Sequence, residues 1–202
     1  MKLKIWELSL FVALVVAVVW GLLLEQRQAG LAERLVRLHV VAHSDADVDQ
    51  ALKLDVRDRV RAEVEPLLVG VSCRAEAEAE ILARLPWILE VAEGAVAEFG
   101  GEYAVRVRLH WERYPTRVYA GFALPAGWYS SLRVEIGEAE GQNWWCVVFP
   151  PLCLEAARGP VAFEAMGLSE GEVALIVGDS AGYSVRFRVL EVMDGVRGWW
   201  SG

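Results

Sequence analysis

Hydrophobic and polar positions divide this chain into three zones. Residues 8–24, LSLFVALVVAVVWGLLL, form an uninterrupted apolar run without a charge. As a helix, such a run spans about 25 Å, near the lower limit for crossing a bilayer. Lys2 and Lys4 precede it, a charge order that keeps the N-terminus inside and sends the rest of the chain out. An uncleaved signal anchor and a cleaved signal peptide both fit, because no clean small-x-small site lies between Gly21 and Ala32. Residues 1–25 are thus expected to be a signal peptide or anchor, and 26–33 a polar juxtamembrane connector.

The second zone is helical. Leu35 to Ala42 first alternates as a short strand, with Arg37 and His39 on one side and Val36, Leu38 and Val40 on the other. Ser44 to Asp49 is dense in capping residues, with Asp47–Gln50 and Ser44–Asp47 as competing registers. The spacing predicts a helix over 48–65, in which Val48, Leu52, Val56, Val60 and Val64 make an apolar stripe. Asp49 with Lys53 and Asp55 with Arg59 are expected i,i+4 pairs. Pro66 ends or bends it. A second helix is expected from Cys73 to Leu85, a break at Pro86, and a third helix to Phe99, stopped by Gly100-Gly101.

From Glu102 the period becomes two. Tyr103, Val105, Val107, Leu109 and Trp111 alternate with Ala104, Arg106, Arg108 and His110. Further strands are expected at 117–124, 129–136, 144–149 and 183–192, and a strand or short helix at 173–177. A strand, then helices, then a mostly antiparallel sheet predicts a single exported α+β domain over 34–194, its sheet covered by two or three helices, with a loose tail at 195–202.

Charge narrows the function. The chain carries 28 acidic and 20 basic residues, a net charge of −8. No basic cluster marks a nucleic-acid footprint, so no nucleic-acid partner is expected. Glu135 to Glu172 holds seven glutamates and one arginine, an acidic surface. Three cysteines leave one unpaired in an oxidising compartment; Cys146 and Cys153 are the expected disulfide, closed around Pro150-Pro151, and Cys73 reads as a buried thiol.

Candidate chemistry is sparse. His39, His43, Ser44, Asp45, Asp47 and Asp49 contain the residue types of a Ser-His-Asp hydrolase, but Ser44 and its neighbours stand where a helix needs caps. His43, Asp45 and Asp49 match no metal-ligand template, and a Cys146–His110 thiol pair requires a reduced sulfur. His39 is expected to meet a helix carboxylate such as Asp55 or Asp58, or to project into a groove. Tyr129 and Arg133 beside Asn143, Trp144 and Trp145 have the aromatic-plus-arginine composition of a binding face. No catalytic residue, metal or cofactor is expected.

Three segments carry a resemblance: RLHVVAHSDADVDQALKLDVRD at 37–58, YPTRVYAGFALPAGWYSSLRVEIGEAEGQNWWCVVFPPLC at 114–153, and VRFRVLEV at 185–192. The chain resembles the stage II sporulation protein R family of endospore-forming bacteria. Arg37, His39, Ser44, Asp45, Asp49, Gln50, Lys53, Arg57 and Asp58 match the family's first motif, and His43 replaces its usual asparagine. Gly141, Asn143, Trp144, Trp145, Cys146, Pro150, Pro151 and Cys153 match the second. The resemblance implies a protein exported from the forespore into the space between the two sporulation membranes, secreted or tethered through residues 8–24. There it would trigger the mother cell's membrane-embedded aspartic protease, which processes pro-sigma-E, without catalysis of its own. On that reading Arg37, His39, Ser44, Asp45, Asp49, Tyr129, Arg133, Asn143, Trp144 and Trp145 are the partner-binding candidates. An exported cell-wall hydrolase and a structural envelope protein are the alternatives.

Overall fold

In the computed structural model, which describes residues 5–119, 122–152 and 168–177, the centre of the sheet is the first strand of the chain. Strand β1 (Val36–Val41) lies between two strands from the C-terminal half. It runs parallel to β5 (Gly127–Ile136) and antiparallel to β6 (Asn143–Phe149). On the far side of β5 lies the antiparallel β2 (Val105–Tyr114), giving the order β2-β5-β1-β6. A separate two-stranded ribbon joins β3 (Arg117–Tyr119) to β4 (Phe122–Leu124), so the single strand expected over 117–124 is two short ones. The domain is α+β with a mostly antiparallel sheet.

Alternation makes the two faces of the sheet different. Val36, Leu38 and Val40 of β1 share one face with Leu132, Val134 and Ile136 of β5 and with Val105, Val107 and Leu109 of β2. Helices α2 (Asp47–Leu67) and α3 (Arg74–Glu98) cover that face. The valine stripe of α2 delivers Leu52, Val56, Val60 and Val64 to the core, and α3 delivers Ala77, Ile81, Ile88, Ala92, Ala95 and Val96. Each large side chain so buried stabilises by roughly 1.5–3 kcal/mol. Val48, the expected first member of the stripe, is exposed.

Three local expectations are corrected. Pro86 does not break α3, which runs through it. It lies on the solvent side with exposed Leu82, so the carbonyl it leaves unbonded faces water. Neither Asp47 nor Ser44 caps α2 in the expected register: the N-cap is Ala46, with no side-chain bond of its own. Ser44 Oγ accepts from the Ala46 amide at 3.1 Å and donates to Asp49, which therefore does not pair with Lys53. Lys53 reaches the Gln142 carbonyl at 3.0 Å, while Asp55 and Arg59 form the expected pair at 3.0 Å.

The opposite face of the sheet is apolar only at one end. There Leu31 and Ala32 from the end of α1 (Ile5–Ala32), Leu35, Phe122, Leu124, Tyr129, Val147 and Leu152 pack with Leu168, Val173 and Ile176. Helix α4 (Glu170–Val177) supplies the last two and settles the 173–177 segment as helix. Ser169 and Glu172 bracket its first turn, and Glu172 also pairs with Arg34 at 2.7 Å. Side chains of α1 are described for only part of its length. Those from Leu10 to Val19 are exposed, and among the described residues no helix is long and apolar enough to cross a membrane.

Cys146 is disulfide-bonded, and its expected partner Cys153 lies outside the described residues. Strand β6 turns Cys146 inward opposite Leu38, where it is 2% exposed. Cys73 is a free and exposed thiol, not a buried one, because it stands just outside α3 as its N-cap. The strand expected at 183–192 and the tail at 195–202 lie outside the described residues.

The β5–β6 loop closes against the β1–α2 connection through Glu140 N to His43 O (3.2 Å) and Gly141 N to Ala42 O (3.0 Å). A Cβ on Gly141 would stand 2.2 Å from the Ser44 carbonyl oxygen, a backbone atom with little room to yield. Gly141→Ala is therefore expected to destabilise the domain by about 1–3 kcal/mol. A urea midpoint equal to that of the unaltered protein would contradict this contact.

Candidate functional site

The polar face of β1 gathers residues far apart in the chain. Register sets His39 opposite Arg133 on one side and Trp145 on the other, and Arg37 opposite Ser131 and Val147. Strand β2 adds Arg106 opposite Glu135, Arg108 opposite Arg133 and Glu112 opposite Tyr129. All six residues of β1 are buried, so its two polar side chains must find partners inside the structure.

His39 is the centre of the first cluster. Its Nδ1 lies 3.0 Å from both oxygens of Glu112, and its Nε2 lies 2.6 Å from Asn143 Oδ1. By turning its amide, Asn143 serves either imidazole tautomer. This corrects the expectation of an Asp55 or Asp58 partner: those aspartates belong to a helix on the other face of the sheet. Glu112 also accepts from Ser131 Oγ at 3.0 Å and from Arg133 Nη1, and Ser131 Oγ meets Tyr114 OH at 2.7 Å. Burial works to raise the Glu112 carboxyl, but His39, Arg133 and Ser131 outweigh it and hold it down at about 2.

The second cluster is a carboxylate shared by three arginines. Glu135 accepts from Arg133 Nε at 2.7 Å, Arg108 Nη2 at 2.9 Å and Arg106 Nε at 3.0 Å. Burial again opposes ionisation, and the guanidinium groups prevail, so the carboxyl sits below its usual range. Arg106 and Arg108 reach it from the rim, their side chains 55% and 57% exposed.

The third cluster is aromatic. Arg37, fully buried, lies over the Tyr114 ring at 3.8 Å and the Tyr129 ring at 4.8 Å, and its Nη2 donates to Tyr119 OH at 2.5 Å. Its Nε and Nη1 have no hydrogen-bond partner among the described residues, nor does Nε of Arg117. Arg117 stacks on Trp145 at 3.5 Å, and Trp145 leans on His39 with ring centres 5.4 Å apart. Burial pushes the Tyr114 and Tyr129 hydroxyls upward, so both stay protonated as donors. Tyr129 OH donates to the Pro125 carbonyl at 2.7 Å.

Of the expected binding residues, Arg37, His39, Tyr129, Arg133, Asn143 and Trp145 therefore meet on one face. Ser44, Asp45 and Asp49 lie at its margin: Asp45 Oδ1 accepts from the Gln142 amide at 2.7 Å, next to Asn143. Trp144 faces the helices, where Arg57 lies 5.0 Å from its ring. Glu112, Glu135, Arg106, Arg108, Tyr114, Arg117 and Tyr119 complete the site and were not singled out from the sequence. The alternation of Arg106, Arg108 and His110 was their one visible signal.

The arrangement lacks the geometry of a hydrolase at Ser44. The hydroxyl is engaged by Asp49 and the Ala46 amide, and the nearby His43 accepts from the Glu138 amide at 3.1 Å while stacking on Tyr103. Among the described residues no group of three or more His, Cys, Asp or Glu side chains is placed to hold a metal ion.

Residues 32–158 match the family model described as Stage II sporulation protein R. The chain is similar to Stage II sporulation protein R of Bacillus subtilis (strain 168), with 33% identity over 141 residues. The alignment covers 69% of this chain and 63% of that relative, so the match spans less than two thirds of the relative's length. No solved structure matches.

Glu112 supplies a pH signature. Its carboxyl is depressed in the folded state from 4.5 to about 2, so its ion pairs contribute fully above pH 4.5 and are lost as the pH falls towards 2. Glu112→Gln is expected to lower stability by roughly 1–3 kcal/mol at pH 7. It should also flatten the acid limb of the urea midpoint between pH 4.5 and 2. Identical acid limbs in the two proteins would show that Glu112 is not held by this cluster.

Proposed function

The chain belongs to the stage II sporulation protein R family, and on that premise we propose that it is an exported intercellular signal of endospore formation. It activates the mother cell's membrane-embedded aspartic protease that processes pro-sigma-E, acting from the extracytoplasmic side. The observation that carries this reading is the convergence of β1, from the resemblance segment 37–58, with β5 and β6, from the segment 114–153, on one sheet face. That face has the composition of a contact surface, with aromatic rings and arginines held rigidly by buried neighbours. Ser44, the candidate nucleophile of the hydrolase alternative, is bound to Asp49 instead of to a base.

In this proposal residues 1–25 act as a signal peptide or anchor and 26–33 as the connector, which α1 traverses as helix. Residues 34–194 form the signalling domain and 195–202 a tail. The face that includes Arg37, His39, Tyr129, Arg133, Asn143 and Trp145 meets the protease, with Ser44, Asp45 and Asp49 shaping its margin and Trp144 bracing it from behind. Binding that favours the active arrangement of the protease shifts its population, and no chemistry by this chain is needed.

Reconstitution of pro-sigma-E processing with the purified protein and the protease tests the reading. Trp145→Ala is expected to reduce activation roughly thirtyfold or more, the loss of one interface anchor, while the protein stays folded by circular dichroism. Trp144→Ala, on the opposite face, is expected to lower stability and leave activation by the folded fraction in place. Full activation by folded Trp145→Ala would rule out this face as the contact. Hydrolysis of isolated cell wall by the purified protein, lost in folded Ser44→Ala, would favour the hydrolase.

A further inference from the structure

The charge of the outer sheet face opposes that of the chain. Five arginines (Arg37, Arg106, Arg108, Arg117 and Arg133) meet two glutamates, Glu112 and Glu135, so these groups give the face an excess of three positive charges. The whole chain carries −8. An acidic protein that concentrates arginine on one face directs an attractive field at anionic groups there and repels them elsewhere.

The arginines are also under-used. Arg106 and Arg108 share the carboxylate of Glu135 with Arg133, and Arg106 also donates to the Gly137 carbonyl at 3.3 Å, yet each guanidinium has five N–H donors. Arg106 and Arg108 are more than half exposed and hold donors free for an incoming oxygen. At the other end of the face, Arg117 lies flat on Trp145 with its Nε unpartnered among the described residues; burial, and after it the charge of Arg37, lowers its hold on the proton. A guanidinium stacked on an indole still presents its edge to a carboxylate.

We propose that this face docks an acidic, extended polypeptide segment of the partner. One carboxylate of the segment engages the Arg106–Arg108 rim and a second engages Arg117 beside Trp145. Arg108, Arg133, His39 and Trp145 stand in one row across the four strands β2, β5, β1 and β6. The Arg106–Arg108 rim and Trp145 are thus three strand spacings, about 14 Å, apart, close to the span of four residues of extended chain. The two glutamates fixed between them disfavour a continuous phosphate backbone and suit separate carboxylates with neutral residues between.

The inference rests on the reading of this face as the partner contact, and two measurements separate them. The first is binding of a labelled nine-residue peptide with glutamates four positions apart to the full chain in neutral detergent, against the same peptide with glutamines. The glutamate peptide is expected to bind at least roughly tenfold more tightly. That advantage should vanish at about 1 M salt, where the screening length falls to about 3 Å. It should also vanish in Arg106→Gln/Arg108→Gln and return in Arg106→Lys/Arg108→Lys, with thermal unfolding showing that all three are folded. Equal binding of the two peptides, an unchanged advantage in the glutamine variant, or tighter binding of polyphosphate or anionic vesicles would overturn the proposal. The second measurement is protease activation. If Trp145→Ala abolishes it and Arg106→Gln/Arg108→Gln does not, the face stands as the contact and the acidic segment falls. If Trp145→Ala activates fully, the contact reading itself falls.

Discussion

The structure depends on one buried strand that carries two polar side chains. β1 is closed off along its whole length, with strands on both edges, helices on one face and aromatic rings on the other. Ordinary apolar residues would satisfy that environment. Arg37 and His39 do not, and an uncompensated polar or charged group in such a place costs several kcal/mol. The surroundings answer them separately: three tyrosines surround the guanidinium, and a carboxylate and an amide bracket the imidazole. Ser131, Arg133 and Tyr114 are then drawn in because Glu112 and its neighbours need partners of their own.

This dependence explains why the site is rigid. Each charged side chain at its centre is held from two or more directions, by side chains of at least two strands. Rotating Arg133 would release both Glu112 and Glu135, and moving Asn143 would release His39. The β5–β6 loop that places Asn143 is itself fixed by backbone bonds to Ala42 and His43 and by Asp45. The segment singled out for its paired tryptophans is thus one wall of a polar assembly, and its two rings serve opposite faces of the same strand.

Much of the fold was legible because it rests on local periodicity. The four-residue stripe of Leu52 to Val64 and the alternation from Val105 onward each state which face is buried, and the structure buries those faces. What was not legible is what depends on third parties. Pro86 looks like a helix break until its solvent-facing position is known. Ser44 and Asp47 look like caps until Asp49 competes for the hydroxyl. His39 was matched to helix carboxylates nearby in sequence, whereas its partners lie on β2 and β6 and are chosen by strand register. Glu112, Tyr114 and Glu135 give no local sign of importance, since a carboxylate or phenol in an alternating strand reads as a solvated residue until the neighbouring strand is in place.

The position of β1 has a consequence for how the molecule is made. It is the first element of the domain to leave the ribosome, yet both of its neighbours come late: Val36 meets Ser130 and Phe149, each more than ninety positions downstream. Until those strands exist, β1 has no edge to join and its arginine and histidine have no shell. Helices α2 and α3 can pair with each other early, but the sheet face they are meant to cover is missing. Contacts of such long range close slowly because the loop entropy must be met before they reward it. A chain threaded N-terminus first through a narrow channel therefore remains without its centre until nearly all of it has passed, which keeps it loose enough to be moved and allows it to set only on the far side.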